Sequence, residues 1–306
     1  MPVLRLLFFI LLFCAPLAAH SGVTAGSFPD GTVWYAHADL KQMRSADSGK
    51  DLYDWVNGEV FIEIHEEIGI DVGKETDRIT AFADSKQGAV IIVEGPVSQE
   101  TKDKILALAA SEMDLNLLKS GGKDYYQFGE ESESAANGDF ESFEDGGFLS
   151  FDLKGKVIVT STEEQMKALL KSGGKVAGMG SHPNALFVLT ADKSMVQAGL
   201  RTDELSDDDD DGWDSNILRN TKQAALLIAD QDGLIAVEAQ LVSSEPGMAQ
   251  SLGGIVNGLI ALQAFNDELD PEIVSLIQNT KVEVEDSTLS IKTVIDPAHV
   301  IAILED

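Results

Sequence analysis

Asp207-Asp-Asp209-Asp-Asp211-Gly212 spells D-x-D-x-D-G, the spacing at which alternate carboxylates converge on one hard cation while a glycine permits a sharp turn. Asp207, Asp209 and Asp211 are therefore the candidate metal ligands, with calcium as the cation; no other cofactor is expected. The pattern is incomplete. Its twelfth position, where an EF-hand loop places a bidentate Glu, is Leu218, and no helix pattern of the right length precedes it. An unbroken aspartate run meets the spacing trivially, so a solvated acidic loop competes with the calcium reading. If calcium binds, an affinity in the millimolar range would suit an exported module.

Other chemistry-bearing spacings are incomplete or better explained by turns. His65-Glu66 opens the zinc-protease pattern H-E-x-x-H, but the second histidine position holds Gly69, which removes one ligand. His20, His37, His182 and His299 form no pair at ligand spacing. Ser120-Gly-Gly-Lys123 and Ser172-Gly-Gly-Lys175 share the S-x-x-K spacing of serine acyl-enzymes, where the serine must open a helix. A Gly-Gly pair behind a helix instead reads as a stop, with glycine in the left-handed conformation. Neither G-x-S-x-G nor a Walker P-loop occurs. With 52 acidic residues, no particular carboxylate pair for glycoside hydrolysis stands out. No catalytic residue is assigned.

The elements around these residues read as an α+β chain containing two copies of one unit. Val33-Trp34-Tyr35-Ala36-His37-Ala38-Asp39 matches Leu186-Phe187-Val188-Leu189-Thr190-Ala191-Asp192, both apolar runs closing on Ala-Asp. Ala83-Asp84 to Val93-Glu94 matches Ala229-Asp230 to Val237-Glu238, and each is a hairpin signal with glycine in the turn. Lys156–Thr160 before a helix over Glu163–Leu170 matches Leu289–Thr293 before a helix over Ala298–Leu304. Leu52, Val56, Val60, Ile64 and Ile68 mark a first helix, and Ile105, Leu108 and Ala109, behind an N-capping Ser98, mark a second. In the other copy Leu252, Ile255, Val256, Leu259 and Leu262 form the apolar stripe of a helix expected to pack on the sheet. Gly254-x-x-x-Gly258 within that helix permits close approach. The order β-α-β-β-α-β, with a further strand and a closing helix, predicts ferredoxin-like units in tandem. Their expected bounds are 28–172 and 185–306, joined by a Gly-rich linker over 173–184. The acidic insertions Glu130–Gly147 and Asp203–Asp214 are expected to be loops. Trp34 and Trp55 are expected in the core, whereas exposure of Trp213 would signal a contact.

The first residues carry Arg5, an apolar run Leu6–Phe13 and the small-residue segment Ala15–Ala19, the three parts of a signal peptide. Cleavage is expected near Ala19, or as late as Ala25, and the run is too short to span a bilayer. Cys14 is the only cysteine, so removing the leader leaves a chain without disulfides or thiol chemistry. The net charge of -30 repels nucleic acid and anionic lipid headgroups and favours solubility and cation binding. Adaptation to a salty medium explains the same charge without any ligand.

Through Ala38-Asp39, Ala191-Asp192, Val93-Glu94 and Val237-Glu238, the chain resembles exported bacterial proteins of domain-of-unknown-function type. The resemblance implies the paired α+β architecture and no catalytic residues. The expected function is thus an exported, non-enzymatic binding or interaction protein, periplasmic or secreted, whose partner is a protein or a cation met by the acidic loops. The alternatives are a hydrolase with unrecognised carboxylates and a calcium-dependent adhesion or matrix component.

Overall fold

A computed structural model describes residues 31–84, 88–129, 143, 146–176, 184–195, 220–263 and 271–305. The fold is α+β, with twelve strands in antiparallel pairing and several helices among the described residues. The chain divides into two compact units. Among the described residues the first comprises 31–44 and 53–176, and the second 45–52 and 184–305.

The first unit opens with β1 (Thr32–Asp39), α1 (Leu40–Ser45) and α2 (Gly49–Val56), the last of which begins in residues counted with the second unit. A π-helical turn (Asn57–Phe61), α3 (Ile62–Ile68) and α4 (Val72–Glu75) follow. The hairpin β2 (Arg78–Asp84) and β3 (Gly88–Glu94) leads to α5 (Gln99–Glu112). Then come β4 (Leu115–Ser120), β5 (Lys123–Gly129), β6 (Gly146–Leu153), β7 (Lys156–Thr160) and α6 (Glu163–Ser172). Its strands lie in the order β1-β2-β3-β7-β6-β5-β4. Trp34, Tyr35, Phe148, Ile158, Met166 and Leu170 fill its core.

The second unit contains β8 (Ala185–Asp192), β9 (Thr221–Gln231), β10 (Leu234–Ser243), α7 (Pro246–Gln263), α8 (Pro271–Asn279), β11 (Lys281–Glu285), β12 (Thr288–Ile295) and α9 (Pro297–Glu305). Its order is β8-β9-β10-β12-β11. Ile235, Val237 and Ile295 form a buried cluster closed by Leu226, Ile228, Leu276 and Val300.

Several local readings hold. Ser98 caps α5 by accepting from the Thr101 amide at 3.1 Å. Gly173 ends α6 in the left-handed conformation at φ 73°. The Leu52-to-Ile68 row recurs every fourth residue and therefore drifts by about 40° per step on a helix of 3.6 residues per turn. The wider π-helical turn at Asn57–Phe61 interrupts that helix and takes up part of the drift.

Two expectations are corrected. A ferredoxin-like unit carries β1 and β2 parallel with another strand between them, whereas here they are hydrogen-bonded antiparallel neighbours, Asp39 facing Arg78 and Ala38 facing Ile79. Periodicity identifies runs that can be strands, but pairing depends on which edge the connecting segment returns to. The long connection over α1 to α4 returns β2 beside β1. Likewise, Gly121-Gly122 does not stop a helix. It forms the two-residue turn of the β4–β5 hairpin, with φ of 58° and 80°. Glycine serves both positions because each demands positive φ.

Candidate interaction surface

The candidate calcium ligands Asp207, Asp209 and Asp211 lie outside the described residues, as do Trp213 and the leader through Ala25. Of the acidic insertion Glu130–Gly147 only Phe143, Gly146 and Gly147 are described. Among the described residues no three His, Cys, Asp or Glu side chains are grouped to hold a metal. His65 sits on α3, and Gly69 ends that helix at φ 69°. Trp34 is buried and Trp55 half-buried.

The Ala-Asp pairs that close β1 and β8 do one physical job. Asp39 Oδ1 accepts from the Gln42 amide at 2.8 Å, and Asp192 Oδ1 accepts from the Ser194 and Met195 amides at 2.9 and 3.1 Å. Each carboxylate satisfies backbone donors where a strand turns into helix, which is a capping role.

Two charged clusters among the described residues are internally paired. Asp39, Arg78, Glu94 and Lys156 occupy one register line across four neighbouring strands. Their ion pairs measure 2.8 Å (Asp39–Arg78), 3.7 Å (Arg78–Glu94) and 2.5 Å (Glu94–Lys156). In the second unit Glu238 is 1% exposed, receives a hydrogen bond from Gln240 at 2.7 Å and has Lys292 at 3.8 Å. Lys292 also pairs with Glu283 at 2.7 Å, and that contact leads in holding the Lys292 pKa above its usual value. The second oxygen of Glu238, Oε2, has no hydrogen-bond partner.

The surface that stands out is α7. From Pro246 to Gln263 it contains no charged residue. Ala249, Leu252 and Gly253 are buried beneath it, and Val256 is half-buried. Gly253 sits so close to the sheet that a Cβ there would fall 2.6 Å from Val284 Cγ2 and 3.5 Å from Leu289 Cδ1. The expected stripe therefore packs only in part. Ile255 is 37% exposed, Leu259 56% and Leu262 70%, while Gly254 and Gly258 face open space. A helix without charged residues offers more than one face that could turn inward, and periodicity does not choose between them. Glycine stands on both faces, at 253 on one and at 254 and 258 on the other, and it is Gly253 that is seated against Val284 and Leu289.

No family model matches the chain, and no curated protein matches it. Two solved structures of TP0453 are similar over nearly the whole length. Crystal form IV has a TM-score of 0.46 and 12% identity, covering 94% of this chain and 98% of that one. Crystal form III has a TM-score of 0.43 and 11% identity, covering 93% and 98%. Scores below 0.5 assign neither a shared fold nor a function. Among the described residues, no helix is long and apolar enough to cross a membrane.

Proposed function

We propose that this chain is an exported, non-enzymatic interaction protein that receives a protein partner on the outer face of α7. The observation that carries this reading is the row Ile255, Leu259 and Leu262, exposed on an uncharged helix of a chain whose net charge is -30. Clustered exposed apolar side chains mark contact surfaces. On a strongly anionic protein an uncharged patch is also where a partner meets least desolvation cost. Export rests on the leader reading of residues 1–19. A photo-crosslinker placed at Leu259 of the full chain, expressed in an exporting host, is expected to yield a discrete protein adduct. No adduct, or adducts with lipid alone, would overturn the reading.

The same proposal includes a tandem duplication. Each unit contains the same core order, β1-β2-β3-β7-β6 in the first and β8-β9-β10-β12-β11 in the second, followed by a helix. Both first strands carry an irregular register at aligned positions, between Thr32 and Trp34 and between Ala185 and Phe187. Bulges are specific local features, so their recurrence supports descent from one unit. The β4–β5 hairpin is the first unit's addition. Calcium at Asp207, Asp209 and Asp211 belongs to the proposal as a cation site in the acidic loop, tested by the melts described below.

A further inference from the structure

We propose that β11 pairs antiparallel with β11 of a second copy about a two-fold axis at Glu283, setting two α7 faces on the same side of the joined sheet. This goes beyond the reading of α7 as a contact surface and is carried by the residues of β11. Among the described residues β11 pairs as a strand with β12 and is the terminal strand of its unit. Such an edge presents unpaired amides and carbonyls that template another strand.

Charges on an edge strand ordinarily oppose self-pairing, but their order here favours it. The strand reads Lys281-Val-Glu-Val-Glu285. About a two-fold axis at Glu283, Lys281 of each copy faces Glu285 of the other and Val282 faces Val284. Two opposite-charge pairs and two valine pairs result, the arrangement that stabilises cross-strand neighbours. Lys281 and Glu285 are both exposed, and Val284 is 37% exposed. The one like-charged meeting, Glu283 with its own copy, is offset because Lys292 already sits 2.7 Å from each Glu283.

The position of α7 fits the same axis. Gly253 lies against Val284, Leu289 and Val282, so the helix rests over β11 and β12. With strands about 4.8 Å apart, two such helices related by the edge axis stand about 10 Å apart, within the usual separation of packed helices. Neither helix carries a charge to oppose that approach.

Sedimentation equilibrium on the full chain at about 0.15 M salt, where screening reaches about 8 Å, is expected to show a dimer. Lys281→Glu converts both attractive pairs into Glu–Glu contacts and should weaken the dimer by ten-fold or more, while Lys281→Glu with Glu285→Lys should restore it. Because Lys281 is exposed, an unchanged melt confirms that folding is intact. In a Cys14→Ser background, Glu283→Cys should form an intermolecular disulfide, since facing Cα atoms of antiparallel strands lie about 4.5–5.5 Å apart. Glu285→Cys, which faces Lys281, should not. A chain monomeric throughout, a dimer indifferent to Lys281→Glu, or crosslinking at 285 in place of 283 would overturn the proposal. A protein adduct at Leu259 from a monomeric chain would sink the dimer alone and leave the α7 reading standing.

Discussion

Tyr125 is 2% exposed, and its hydroxyl donates to Glu163 Oε1 at 2.5 Å, while Lys167 holds Glu163 Oε2 at the same distance. Lys167 and then Tyr125 hold the Glu163 carboxyl below the usual carboxylate range. Burial first, with the Glu163 hydrogen bond second, pushes Tyr125 up to about 12. The two signs differ. Glu163 contributes stability that is present above its unfolded pKa and is lost as pH falls through its lowered folded value. Tyr125 contributes stability that is complete below about 10, the value of an exposed tyrosine, and is lost as pH rises toward about 12. Burial raises Tyr35 as well. An ultraviolet titration should therefore show Tyr35 and Tyr125 ionising late, together with the loss of fold. Tyr125→Phe should cost about 1 kcal/mol in a urea melt, because it leaves a carboxylate oxygen without its donor. Lys292→Met should cost about 3 kcal/mol, since it strands the buried Glu238 without a cation. Glu238→Gln should be near neutral, and a large loss there would assign Glu238 more than an ion-pair role.

At the scale of elements, close approach is decided by glycines that look alike in the chain. A Cβ at Gly95 would meet the Glu75 carbonyl at 2.3 Å and the Asp77 amide at 2.9 Å, both of them backbone atoms held by neighbouring hydrogen bonds. Gly95→Ala should therefore destabilise the chain by about 3 kcal/mol. Gly258 has open space around it, so Gly258→Ala should stabilise α7 by about 1 kcal/mol through helix propensity alone. Thermal melts of the two variants should move in opposite directions. A loss at Gly258→Ala would mean that the face of α7 around Gly258 is covered.

For the whole molecule the dominant quantity is charge. With 52 acidic and 22 basic residues, self-repulsion opposes the compact state, and salt should raise the melting temperature by screening it. Calcium bound at Asp207, Asp209 and Asp211 should add a further rise that saturates with concentration and is reversed by EDTA. Equal shifts with magnesium, or with sodium chloride of matched ionic strength, would reduce the effect to screening and remove the site.

How much of this was legible before folding differs by feature. The capping Ser98, the helix-ending Gly173 and the Asp232-Gly233 turn were readable because each is a local bargain between a side chain or φ angle and its own backbone. The shared Ala-Asp endings were visible as a repeat, although their capping role emerged only from the Asp39 and Asp192 hydrogen bonds. The strand order was hidden, since apolar runs do not encode their neighbours. The exposed row of α7 was hidden too, because Leu252 and Leu259 are equal in hydropathy and only contact with Val284 ranks their faces. Class, α+β content and charge follow from composition and period, which are properties of the chain taken locally. Pairing, facing and exposure depend on residues distant in sequence, and those only the tertiary structure decided.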